Sequence, residues 1–268
     1  MTIIEKLAAE KSVGHRGGLY HKLQIDLAYN SNRIEGNSLT HDQTRFIYET
    51  NTIGVNIGKD EAAIKVNDVI ETVNHFRCLD YVIDTYSAPL TLDYCKELHH
   101  ILKNGVVDNY AVIGEFKKEP NYVGDMETAA PAEVGEKLNK LIKYYGNTKL
   151  DLYDIAEFHV EYERIHPFYD GNGRTGRLIM LKQCLENDVM PFVIKDENKM
   201  FYYLGLKEWQ TQHSDERLIS VFLASQDYSE SVLKYFNIAH QREAVTYSDV
   251  IKQHQANSLE TPRKGPVR

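Results

Sequence analysis

Apolar residues along this chain recur mostly at spacings of three and four, the period of one buried helical face. From Asp60 to Asp84 the series Ala62, Val66, Val69, Ile70, Val73 and Phe76 predicts a helix, with Pro89 beyond its end. Thr91 is placed to cap a helix reaching Leu102, which Asn104-Gly105 would stop. Pro131 suits the first turn of a helix carrying Leu138, Leu141, Ile142 and Tyr145, closed by Gly146-Asn147. A further helix is predicted over Leu150–Ile165, broken at Pro167. Leu178–Leu185 is almost wholly apolar, as in a helix buried on most sides. The pattern lapses between Tyr110 and Ala130, where Gly114, Pro120 and Gly124 interrupt β-formers and a hairpin or flap is expected. The last 14 residues, QANSLETPRKGPVR, are polar with two prolines and read as a disordered tail.

Composition narrows the function classes. The chain has 268 residues, 42% hydrophobic and 26% charged, which suits a globular protein of one or two domains and excludes a fibrous repeat or global disorder. Lys and Arg total 31 against 39 Asp and Glu, a net charge of -8. That balance argues against a nucleic-acid partner and against an anionic membrane surface. No apolar run approaches the ~20 residues of a membrane-spanning helix. Glu5 and Lys6 fall where a signal peptide would be apolar. Cys78, Cys95 and Cys184 are odd in number and lack a Cys-x-x-Cys spacing, so the expectation is a reduced, cytoplasmic protein.

Chemistry concentrates in His166-Pro-Phe-Tyr-Asp-Gly-Asn-Gly-Arg-Thr-Gly-Arg177. The pattern reads as a helix end, a tight loop and a new helix start. Gly171 and Gly173 permit a sharp turn and close approach of a ligand, and the following helix aims free N–H groups into the loop, as anion sites do. Arg174 and Arg177 share a face of the first turn. Cations there oppose the helix dipole, and a polyphosphate would reverse that sign. Asp170 is placed to hold Mg²⁺ otherwise ligated by phosphate oxygens and water, and His166 is a natural general base. Together these outline a phosphoryl-type transfer site. It is not a P-loop, since no Gly-x-x-x-x-Gly-Lys-Ser/Thr occurs.

The segment resembles the signature of Fic-domain proteins, His-Pro-Phe-x-Asp/Glu-Gly-Asn-Gly-Arg-x-x-Arg, at every defined position. The resemblance, extending over Asp60 to Gln212, implies a mainly α, Fic-type helical fold with a short β-hairpin flap beside the active-site loop. It implies a protein adenylyltransferase that moves AMP from MgATP to a hydroxyl side chain (Tyr, Thr or Ser) of an unidentified target protein, or of itself. On that basis His166 deprotonates the acceptor and Asp170 binds Mg²⁺ between the α- and β-phosphates. Gly171, Asn172 and Gly173 cradle the phosphates, Arg174 meets the β-phosphate and Arg177 the γ-phosphate. Tyr202 and Tyr203 resemble adenine-pocket residues of some relatives, and residues 110–130 match the flap in placement.

Upstream, Ser31-Asn-Arg-Ile-Glu35-Gly36 resembles the inhibitory motif Ser/Thr-x-x-x-Glu-Gly/Asn that precedes the core in one subclass. Without the resemblance it reads as a helix C-terminus. With it, Glu35 would occupy the Arg177 guanidinium meant for the γ-phosphate and leave ATP misaligned for attack. The chain is then expected to comprise an N-terminal helical segment with the inhibitory motif (1–58), a catalytic core with C-terminal helices (59–252) and the tail (253–268). Removal of AMP from a modified protein, and a catalytically quiet nucleotide-binding module, are the alternatives. Sequence leaves the oligomeric state open, a homo-oligomer included. Adjacent His99 and His100 face different ways on a helix, and His159 is not at a zinc spacing from His166 and reads as a packed or capping residue. His41-Asp42 has no further His or Asp pattern, and Gly14–Gly18, without a preceding strand, reads as a flexible loop.

Overall fold

Residues 2–53, 63–107, 112–124, 126–146, 148–242 and 244–260 are described by a computed structural model. Among them are eleven α-helices and one small hairpin. In chain order the helices are α1 (Ile3–Ser12), α2 (Leu19–Ile34), α3 (His41–Thr50), α4 (Val66–Asp84), α5 (Leu92–Lys103), α6 (Val134–Tyr145), α7 (Leu152–Ile165), α8 (Asn172–Asn187), α9 (Lys199–Gln212), α10 (Glu216–Tyr235) and α11 (Tyr247–Glu260). The hairpin pairs β1 (Tyr122–Val123) with β2 (Met126–Glu127) in antiparallel register, Val123 opposite Met126. The mainly α fold with a hairpin flap is therefore as expected. No helix among the described residues is long and apolar enough to cross a membrane.

The centre is the α7–α8 pair. Ile155, Ala156, Val160 and Tyr162 of α7 and Leu178 and Ile179 of α8 are fully buried. α8 has no solvent face from Arg174 to Leu185, because α2, α4, α5 and α7 surround it. This gives the reason for its unbroken apolar run. Cys78, Cys95 and Cys184 are buried in the core as free thiols.

Several boundaries moved. α4 begins at Val66 rather than Asp60, and residues 54–62 lie outside the described residues, as do Tyr110, Ala111, Asp125 and Asn147. Leu150 is not in α7: its amide bonds to Asn187 Oδ1 at 2.8 Å, and Asp151 caps the helix through the Asp154 amide. The expected tail is a correction. α11 runs to Glu260, because His254 and Asn257 tie it to Asp151 Oδ2 at 3.2 and 3.0 Å. Only residues 261–268 of the expected tail fall outside the described residues.

Candidate active site

The loop between α7 and α8 is shaped by its own side chains. α7 ends on His166 itself, which adopts a left-handed conformation at φ 50°, and its amide closes on the Tyr162 carbonyl. The imidazole thus stands at the loop entrance. Asn172 then folds back on Phe168: its Oδ1 accepts from the Phe168 amide at 2.8 Å and its Nδ2 donates to the Phe168 carbonyl at 2.7 Å. With both ends so used, and 2% exposed, Asn172 fixes the cradle rather than reaching phosphate through its side chain. Gly171 has φ +79°, and a Cβ there would crowd Leu102 Cδ2 at 3.3 Å, so a bare left-handed residue is required.

His99 supports this loop, a role that sequence gave no sign of. The Gly114 amide donates to His99 Nδ1 (3.0 Å), so the ring proton sits on Nε2 and points at the Asp170 carbonyl, 3.1 Å away. The ring stacks flat on Phe168 at 3.9 Å. Burial lowers its pKa to about 4, so it works as a neutral strut.

Glu35 and Arg177, 142 residues apart, meet over the start of α8. Arg177 Nη2 donates to Glu35 Oε1 at 2.7 Å, while Nε donates to Ser31 Oγ (3.0 Å) and Nη2 also to the Ser31 carbonyl (2.9 Å). Burial opposes the Arg177 charge, but the Glu35 carboxylate outweighs it and the pKa is raised. Gly36 takes φ +91° and turns the chain away. The carboxylate rests on Gly173, where a Cβ would lie 2.3 Å from Glu35 Oε1 and 2.9 Å from Arg177 Nη1. Arg177 Nη1 is buried and without an acceptor among the described residues. Glu35 therefore sits as an anion at the helix N-terminus, beside one donor still unmet.

Arg174 belongs to a different cluster. Nη1 pairs with Glu71 Oε2 (2.6 Å) and Nη2 with Asp170 Oδ2 (3.2 Å). Lys103 bridges the same two carboxylates, to Glu71 Oε1 at 2.8 Å and Asp170 Oδ2 at 2.5 Å. Burial disfavours the Asp170 charge, but Arg174 and Lys103 prevail and bring its pKa down to about 2. A carboxylate whose charge is favoured by two neighbouring cations, 47% exposed at the loop mouth, is a hard oxygen donor of the kind Mg²⁺ takes alongside phosphate oxygens and water. The residues present fit that ion.

His166 is held neutral. Burial, then the Lys117 charge, depress its pKa to about 4. Its Nδ1 lies 3.8 Å from Glu163 Oε2, a carboxyl that burial raises to about 8. Beside it, Lys117 fastens the hairpin to the loop: its amide bonds Pro167 O (2.9 Å) and its ammonium reaches Asn121 Oδ1, Thr128 Oγ1 and Ile165 O. Asn121 in turn donates to Phe168 O at 2.9 Å. The flap is thus tied to the segment that carries His166.

The structure brings Ser31, Glu35 and Arg177 together, and sets Asp170 with Arg174. It does not place Tyr202 on an open pocket wall. Tyr202 is 1% exposed, bonds His159 Nε2 at 2.7 Å, and backs Arg177 with its ring 5.9 Å from the guanidinium carbon. Tyr203, exposed, donates to the Ile34 carbonyl at 3.1 Å, next to Glu35. His159 is a packed core histidine, and His41 pairs with Asp26. Sequence reasoning missed Glu71, Lys103, Lys117, His99 and Glu163. Only Glu163, one turn before His166, lay within reach of a local pattern.

Residues 89–184 match the Fic/DOC family model. A Nematostella vectensis protein named protein adenylyltransferase Fic is 28% identical over 202 residues, covering 73% of this chain and 45% of its own length. The Drosophila melanogaster protein of that name is 30% identical over 185 residues, covering 67% of this chain and 36% of itself. The chain thus spans less than half the length of these relatives. Among solved structures, a Fic-domain-containing signaling protein from Bacteroides thetaiotaomicron superposes with a TM-score of 0.65 at 24% identity, covering 87% of this chain and 94% of that one. C. elegans Fic-1 (aa134 - 508) gives 0.68 at 20%, covering 87% and 70%. These likenesses establish the fold.

Proposed function

This chain belongs to the Fic family, and from that premise we propose that it is a protein adenylyltransferase that moves AMP from MgATP to a hydroxyl of another protein or of itself, and that Glu35 restrains it. The observation that carries the reading is the Glu35 carboxylate seated on Gly173 and bonded to Arg177, an anion where the helix N-terminus and a buried guanidinium would receive a phosphate. Ser31 and Gly36 frame that contact. Asp170 would hold Mg²⁺, which supplies charge neutralisation on the phosphates when bound. His166 takes the acceptor proton, the freed oxygen bonds to the α-phosphorus, and the bond to pyrophosphate breaks. Arg177 meets the outer phosphate, and the Gly171–Gly173 backbone shapes the cradle.

Arg174 acts here chiefly by aligning Asp170, because it is 3% exposed between two carboxylates. Tyr203 stands at the cradle rim, and Tyr202 buttresses Arg177 from behind. The same carboxylate, 26% exposed over the cradle, would also be placed to orient a water for AMP removal. Incubation with labelled ATP and Mg²⁺ in the presence of lysate separates the readings. In a variant lacking the Glu35 carboxylate, AMP adducts should accumulate and His166→Ala should lower the rate by about 10²–10⁴-fold with nucleotide binding kept. Equal turnover with and without His166 would refute the assignment.

A further inference from the structure

Glu71, Lys103, Arg174 and Asp170 form a quartet of alternating sign, contributed by α4, α5, α8 and the loop. Lys103 and Arg174 are 2% and 3% exposed, and Glu71 13%. Every contact within the quartet is at ion-pair distance: Glu71 touches both cations, and both cations converge on the same oxygen of Asp170. Glu71 lies in neither the signature nor the inhibitory motif, and Lys103 precedes the loop by more than sixty residues. Asp170 is half-exposed, while Lys103 and Arg174, the two cations that hold it, are buried and Glu71 behind them is largely covered. It is therefore the member able to change partner, and the other three stay fixed by one another.

We propose that Glu71 and Lys103 are positioning residues that set how readily Asp170 gives itself to a divalent cation. Lys103 is the competitor already in place, an ammonium on the carboxylate oxygen. Glu71 is the second anion that keeps Lys103 and Arg174 satisfied when Asp170 turns away. Without Glu71, two buried cations would have Asp170 as their sole partner in the quartet and would hold it against the metal. Without Lys103, the quartet would carry excess negative charge and would draw the metal in. The two substitutions must therefore act with opposite sign, an outcome that a purely structural role would not produce.

This inference rests on Asp170 as the metal carboxylate, and its test keeps the two apart. The measurement is the affinity of the full chain for ADP by calorimetry, in Mg²⁺ and again in EDTA; the ratio of the two is the metal-linked gain. Asp170→Asn should abolish most of that gain. If it does not, the metal assignment fails whatever the other variants do. Lys103→Met should raise the gain and Glu71→Gln should lower it, each by about 5-fold or more, the lower end of ordinary coupling between sites. The double variant is again neutral and should return to within about threefold of the wild type, which also covers the case in which Glu71→Gln alone folds poorly. Gains that stay equal, or move the same way in both single variants, would overturn the inference.

Discussion

Replacing Glu35 by Gly tests the restraint most directly. The substitution removes one charge-assisted hydrogen bond, 2.7 Å long, between a guanidinium 7% exposed and a carboxylate 26% exposed. Such a bond contributes about 1.5–3 kcal/mol net, and that energy must be given up whenever a phosphate takes the Glu35 position. At 1.4 kcal/mol per decade, transfer should rise about 10- to 150-fold. Arg177 should remain aimed, because the Ser31 hydroxyl and carbonyl hold its Nε and Nη2 independently of Glu35. Glu35 stands at the C-terminal cap of α2 with an ordinary φ of -87°, so Gly there should leave the melting temperature within a few degrees. The assay is adduct formation with labelled ATP, mutant beside wild type, on the protein itself and on lysate. A deadenylylating enzyme would lose AMP removal instead. No gain in transfer with an unchanged melting temperature would return Glu35 to the role of a helix end.

Two further outcomes follow from burial. His75, His99, His159 and His166 are all depressed by burial, to about 3, 4, 3 and 4 respectively. The unfolded chain takes up those protons near pH 6.5, so the stability they contribute is complete above that pH and is lost as pH falls towards 4, at up to about 1.4 kcal/mol per unit for each; a melting temperature constant from pH 6.5 to 5 would contradict this. Gly176→Ala would put a Cβ 2.8 Å from Glu163 Oε1 and 3.0 Å from His159 Cε1, deep in the α7–α8 contact, and should cost about 1–3 kcal/mol, read as a lowered denaturant midpoint.

The signature loop was legible because it is twelve consecutive residues, and the Glu35–Arg177 contact, 142 residues apart in the chain, only because the two short motifs that carry it resemble those of a known family. Helices α4 to α7 were legible because their apolar faces repeat, and α8 because its second half is almost wholly apolar. What escaped was non-local or polar. Glu71 and Lys103 look like solvated charges in any window, and only the packing of α4 and α5 against α8 buries them. α3 offers few buried apolar positions, Ile47 among them, so periodicity gave it no mark. Asn172 is a phosphate contact only by the resemblance of its loop to the family signature. Its side chain is instead spent on the Phe168 backbone, a competition visible only in three dimensions.

The embedding of α2 bears on how fast Glu35 could yield. Most of that helix is buried, with Gln24 fully enclosed, Asn30 Oδ1 accepting from the Asp196 amide at 3.0 Å, and the Tyr203 hydroxyl bonded to the Ile34 carbonyl at its last turn. Such a helix cannot swing out as a unit without opening the core. Glu35, at its exposed end, can leave only by rotation of its own side chain, a motion of picoseconds to nanoseconds rather than the microseconds to milliseconds of a moving lid. On the proposed reading the brake has no memory. It re-equilibrates far faster than any turnover, so progress curves begin without a lag, and whatever relieves it does so by changing an occupancy rather than by triggering a slow step.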